Sequence, residues 1–175
     1  GHVGTVRQAP LELLWDTRWV PDQPPGQIRL VARIRHPAGV WFVTEEVTGL
    51  TLRRPQERVC LYRTFELPPE FGVRSGQRRS CIIELPADYN PADVVECSLH
   101  YRSWHGWDGH HAPYRLNDFE RAHQGKNHHY HYHVHLIPPG VLRPGQNRFE
   151  IYSSTEHHML EILWPGPALV VRTKR

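Results

Sequence analysis

No run of about 18 apolar residues occurs in the 175-residue chain, so no segment has the length of a membrane-crossing helix. Its first residues, GHVGTVRQAP, lack a charged stretch followed by an apolar one, so no signal peptide is expected there, and secretion stays open. Methionine occurs once, alanine is sparse, and lysine stands only at Lys126 and Lys174, which leaves few good helix formers. Basic residues number 21 against 18 acidic ones, a net charge of +3, and the arginines are scattered among glutamates and aspartates. Without a Lys/Arg run or tail, neither nucleic acid nor a membrane surface is an expected partner. Cysteine is scarce: Cys60, Cys81 and Cys97 are odd in number, lie in strand-like phrases and form no CxxC pair. Buried free thiols are the simplest reading, with a Cys81–Cys97 disulfide left open.

Catalytic phrases are missing as well. The chain holds no GxSxG elbow, no HExxH helix and no glycine-rich phosphate loop, so nucleophilic catalysis and phosphoryl chemistry are not expected. Glu45 and Glu46 are sequence neighbours on opposite faces of a strand-like run, so they cannot by themselves form the facing carboxylates of a glycosidase.

What the chain has in quantity is aromatic rings, turn formers and histidine. Six Trp and seven Tyr beside 16 Pro and 13 Gly describe an all-β chain of strands and turns. About ten strand-like runs follow one another, each bounded by Pro, Gly or Asn. They include LELLWDTRWV, QIRLVARIRH, VWFVTEEVTGLTLRR, VCLYRTFELP, RRSCIIELPA and VVECSLHYRSW, then YRLND, HYHYHVHLIP, NRFEIYSST and LEILWPGPALVVR. In QIRLVARIRH, Ile28, Leu30, Ala32 and Ile34 share one face, which predicts a strand with one buried side. Short helical turns are expected in PADYNPADV and in NDFERAHQG. No repeat, linker or charge block divides the chain, so residues 1–175 are read as one antiparallel β-sandwich, a jelly roll being the simplest way to hide so many strand edges.

The phrases YRLND, LRPGQN and EILWPGPALVVR resemble the second half of galactose-binding-like jelly-roll domains, which include carbohydrate-binding modules of glycoside hydrolases. In such domains an xLNG-like turn precedes a strand ending in LxPGxNxxxI and a terminal hydrophobic strand. Arg115-Leu116-Asn117-Asp118 and Leu142-Arg143-Pro144-Gly145-Gln146-Asn147 stand in those places, with Asp118 where the family often has Gly. The resemblance covers roughly residues 80 to 175, and its motifs speak to fold more than to ligand. It implies an extracellular or periplasmic accessory domain of a larger protein that recognises a polysaccharide or glycan.

Sugar recognition needs flat rings against C–H faces and polar groups for hydroxyls. The glycine-punctuated YRSWHGWDGHH supplies Trp104, His105, Trp107, Asp108, His110 and His111, and Asn117 joins them from the motif turn. Trp15, Trp19 and Trp41 have no such polar companions and read as core or edge packing, and Trp164 as packing near a Pro-bounded bend.

The 14 histidines raise a second chemistry. In HHYHYHVHLIPPG, His129, His131, His133 and His135 alternate with Tyr130, Tyr132, Val134 and Leu136, so each set holds one strand face. The second set is the more apolar and is expected to face the core, leaving the imidazoles outward at spacings of ~6–7 Å. A His-x-His pair gives a metal two nitrogens, and Zn or Cu suits imidazole. His129, His131 and His133 are the candidate ligands, completed by Glu156, His157 and His158, or alternatively by Asp108, His110 and His111. Three functions therefore stand: a glycan-binding module, a small His-ligated Zn or Cu enzyme acting on polysaccharide, and a structural interaction domain. With so many imidazoles near a pKa of ~6.5, binding of an acidic partner would depend on pH.

Overall fold

Residues 94–105, VVECSLHYRSWH, form the longest strand of the computed structural model, which describes residues 2–106, 113–125, 128–153, 156 and 158–175. In chain order the strands are β1 (Ile28–Leu30), β2 (Arg33–Arg35), β3 (Trp41–Val43), β4 (Val47–Leu50), β5 (Glu57–Arg63), β6 (Gly72–Val73) and β7 (Arg78–Leu85). They continue as β8 (Val94–His105), β9 (Pro113–Leu116), β10 (Phe119–Ala122), β11 (His129–Leu136), β12 (Gly145–Tyr152), β13 (Leu160–Ile162) and β14 (Ala168–Lys174). Two short 3-10 turns, Pro91–Asp93 and Pro139–Val141, are the only helical elements among the described residues.

β8 organises the first sheet, whose order is β5-β14-β8-β13-β6. On β8, β14 pairs residues 94–100 and β13 pairs residues 103–105, so these two share an edge. The opposite edge belongs to β11, antiparallel from Ser98 to His105. The second sheet runs β10-β9-β12-β7. All these strand pairs are antiparallel. From β7 onward the chain crosses between the two sheets at five of its seven connections. Alternation drives the layering: on β12, Asn147, Phe149 and Ile151 are buried, while Gln146 and Arg148 are exposed.

The two inner faces meet in a core of Ile83, Leu99, Tyr101, Tyr114, Leu116, Phe149 and Leu169, with partners on both sheets. Phe149 sits at its centre, its ring 5.4 Å from Tyr101, 5.6 Å from Tyr114 and 6.2 Å from Phe71. Burial of each such large apolar side chain contributes roughly 1.5–3 kcal/mol. The two motif phrases meet at the end of this core. Asn117, at φ 53°, donates from Nδ2 to Val141 O and to Asn147 Oδ1, and accepts at Oδ1 from Arg148 N. Asn147 in turn accepts from Arg143 N and donates to Arg143 O and Gly145 O, so one buried side chain holds the whole Leu142–Gly145 turn.

The first fifty residues depart from the expected pattern. No residue before Val59 belongs to the buried core. LELLWDTRWV forms no strand, and QIRLVARIRH breaks into β1 and β2, which pair with β4 and β3 in separate two-stranded ribbons. Ile34 and Trp41 are exposed there, with Arg35 over the Trp41 ring, and Trp164 is 84% exposed at its bend. The alternation in this region is real, but its apolar side is covered only in part: Ile28 and Leu30 are half-buried, whereas Ala32 and Ile34 are exposed. NDFERAHQG also gives a strand, β10, rather than a helical turn, because Asn117-Asp118 turn β9 back on itself. The N-terminal stretch is nonetheless tied down: Asp22 N donates to Val59 O, Arg54 binds Asp22 and the Thr17 and Val20 carbonyls, and Trp19 lies under Arg172. Arg172 also pairs with Glu57 and Glu96, clamping β5, β14 and β8 together.

All three cysteines are free thiols, so the Cys81–Cys97 disulfide does not form. Burial pushes Cys81 and Cys97 up to about 12, while Cys60 is only half-buried. At pH 8 about one in 10,000 of the two buried thiols is thiolate, and the thiolate is the nucleophile. An aromatic disulfide reagent is expected to titrate Cys60 alone in the native protein, then all three on unfolding. Rapid native reaction at Cys81 or Cys97 would contradict this burial.

Candidate functional site

The faces of β11 are the reverse of the sequence expectation. His133 and His135 are buried and His131 half-buried, whereas Tyr130, Tyr132, Val134 and Leu136 are all exposed. Register is the reason. His131, His133 and His135 pair with Ser103, Tyr101 and Leu99, the inward row of β8, and Tyr130 and Tyr132 pair with Trp104 and Arg102 on the outward row. The interior supplies what imidazoles need, namely hydroxyl partners and ring faces, so burial of these polar groups is offset locally.

Ser103 Oγ lies 2.7 Å from His105 Nε2 and 2.7 Å from His133 Nε2. Tyr101 OH is 3.0 Å from His123 Nδ1, and the Tyr101 ring stacks on His133 at 4.2 Å and 13°. His105, His123 and His133 close a triangle with ring centroids 5.7 to 6.0 Å apart. One potential ligand nitrogen from each lies within 4.8 Å of the other two. Two residues further along β11, His135 shares a hydrogen bond of 2.9 Å between Nδ1 and Tyr114 OH and stacks on that ring. Burial, reinforced by His131, His135 and His105, lowers His133 to about 3. Burial, reinforced by Arg121 and His131, lowers His135 to about 4. Both rings are neutral at physiological pH, the form in which imidazole binds a metal.

Among the expected metal ligands, His133 enters this cluster and His131 packs edge-on against it at 4.6 Å. His129 and Glu156 are exposed, and His158 lies on the other side of the sheet, its ring 6.3 Å from His128. His105, expected to touch sugar, is instead buried beside His133. His123 was not singled out by the sequence, being a lone histidine after β10. Only the β9–β10 return brings it to β8, so no spacing rule marks it. Asn117 spends both polar atoms of its side chain on the motif hub. Trp107, Asp108, His110, His111 and His157 lie outside the described residues.

The outer face carries a different constellation. Trp104 is half-buried at its rim, with His128 edge-on to the indole at 5.7 Å. Tyr130 and Glu161 flank Trp104 as its strand partners on the two sides. Gly106 lies under this corner, where an added Cβ would come within 3.1 Å of the Trp104 ring and 3.3 Å of His158 Cβ. Tyr132 continues the row, its hydroxyl 2.9 Å from His100 Nδ1, and His100 Nε2 is held by Ser98 Oγ at 2.8 Å. Burial lowers His100, so it is a neutral hydrogen-bonding group.

No protein-family model and no curated protein sequence matches the chain. Among solved structures, it is similar to part of a β-porphyranase of glycoside hydrolase family 86 from the human gut bacterium Bacteroides plebeius. That match has 10% identity and a TM-score of 0.49, and covers 86% of this chain and 30% of the other. It is also similar to part of dimeric latent PorU from Porphyromonas gingivalis, with 11% identity, a TM-score of 0.37, and 89% and 20% of the two chains covered. The chain thus spans less than a third of either structure it matches.

Proposed function

We propose that the chain is a non-catalytic accessory module that binds a glycan on the outer face of β8 and β11, at the rim beside Trp104. One observation carries this reading: Tyr130 and Tyr132 stand 71% and 57% exposed on the same face as the half-buried Trp104. Three rings on one face offer apolar surfaces to the C–H faces of pyranose units, and Arg102, His128 and Glu161 stand around them with polar groups for hydroxyls. The segment of Trp107, Asp108, His110 and His111, which follows directly from Gly106 in sequence, is included in the proposal as a further source of contacts.

Electrophoresis through gels containing soluble polysaccharides tests this. At least one polysaccharide is expected to retard the protein, and Tyr130→Ala combined with Trp107→Ala is expected to weaken that binding at least tenfold, about 1.4 kcal/mol. Chelator is expected to leave retardation unchanged. Binding that survives the double substitution, or no retardation across a broad glycan set, would overturn the proposal.

A further inference from the structure

Beyond glycan binding, we propose that His105, His123 and His133 form a closed site for a divalent transition metal, Zn²⁺ first, which joins β8, β11 and the chain after β10. Three histidines from three separate stretches converge where a folded core ordinarily places apolar side chains. Their exposures are 2%, 6% and 1%, and their ligand nitrogens fall within 4.8 Å of one another. In a tetrahedral zinc site with Zn–N of ~2.0–2.1 Å the nitrogens stand about 3.3 Å apart, so ring rotations of about an ångström bring this set onto an ion.

The surrounding hydroxyls have the character of an outer shell that orients ligand rings. The Tyr101 hydroxyl holds Nδ1 of His123, which makes Nε2 its nitrogen for a metal. Ser103 has a single hydroxyl proton but meets Nε2 of both His105 and His133, so at least one of those two nitrogens carries the hydrogen. With His133 as that donor, its Nδ1 keeps a lone pair, and this buried nitrogen has no hydrogen-bond partner among the described residues. The opposite tautomer would leave a buried N–H unmatched, which costs more than an idle lone pair. Gly125 closes the site: a Cβ there would come within 2.8 Å of the His105 ring, so the backbone leaving His123 lies directly on it. Three imidazoles leave the fourth tetrahedral position to a water, and the enclosure keeps a polymer from reaching it, which separates this inference from a polysaccharide-cleaving metal centre.

The test uses the whole chain purified without an immobilised-metal column. Elemental analysis after dialysis against micromolar Zn²⁺ is expected to find about one zinc per chain, and Co²⁺ in its place is expected to give the visible d–d bands of a tetrahedral site with three nitrogens and a water. His123→Gln is expected to weaken zinc at least 100-fold in a competition titration with a chromophoric chelator. Should that variant fail to fold, Tyr101→Phe, which keeps the ring and removes only the hydroxyl on His123, is expected to weaken zinc about tenfold. His129→Ala and His158→Ala are expected to leave zinc unchanged. Folded protein that takes up neither Zn²⁺ nor Co²⁺ would overturn the proposal. So would zinc that is indifferent to both His123→Gln and Tyr101→Phe, or that is lost in His158→Ala. Because glycan retardation is expected to ignore chelator, failure of one reading leaves the other standing.

Discussion

Taking the metal-free protein from pH 7 to pH 4.5 is expected to remove about 5 kcal/mol of folding stability through His133 and His135 alone. In the folded chain their pKa values lie at about 3 and about 4, chiefly because burial penalises the imidazolium. In the unfolded chain both return to ~6.5. The full stabilisation is therefore present above that value. As pH falls below it, the unfolded chain takes up protons that the folded one refuses, and the loss levels off only near the folded values. Two pH units for two groups, at about 1.4 kcal/mol per unit, give the stated figure. Against a typical total of roughly 5–15 kcal/mol, this brings the acid transition into mildly acidic solution. Urea midpoints measured from pH 7 to 4.5 in the presence of EDTA give the dependence, and His135→Phe assigns it. Phenylalanine keeps a ring against Tyr114 but cannot titrate, so its stability relative to wild type is expected to improve by about 2.5 kcal/mol over that range. A difference that does not change with pH would show that His135 is not held neutral.

Asn147→Ala, which leaves the His cluster intact, is expected to cost about 3–4 kcal/mol. Asn147 is fully buried and makes four hydrogen bonds: from Asn117 Nδ2, from Arg143 N, and to the Arg143 and Gly145 carbonyls. Removing its amide strands a backbone donor and two carbonyls at once, and each buried group left unmatched costs about 1–3 kcal/mol unless water reaches it. Chemical denaturation measures the loss. Asn147→Asp separates shape from donors, because it keeps the acceptor for Arg143 N and cannot donate to the two carbonyls. A cost below 1 kcal/mol for Asn147→Ala would mean that the turn holds without its hub.

The sandwich was legible wherever an apolar row met another layer. Ile83 and Leu85, Leu99 and Tyr101, Phe149 and Ile151 all alternate and all lie in the core. The two motif phrases were legible as fold, and their purpose becomes plain when Asn117 and Asn147 are seen to bond. Alternation on β11 showed that two faces exist but not which one turns inward. Ranking by apolarity failed there because Ser103, Tyr101 and Tyr114 give imidazoles a better interior than solvent gives them, and because an edge strand can leave tyrosines wet. His123 was illegible for another reason: its partners lie 18 and 10 positions away in sequence, and the turn motif at Asn117-Asp118 marks a reversal without saying what the returning chain meets. Residues 28–43 alternate as strands do, but periodicity cannot say whether anything packs upon them.

The clamp of Arg172 on Glu57 spans 115 residues of chain, and the β5–β14 ladder beside it is equally remote in sequence. β14 is also the partner of β8 from Val94 to His100, so one late strand carries two ladders of the sheet. The entropy of closing so long a loop falls due before its contacts return anything, which places the rate of folding under the control of topology rather than of any single residue.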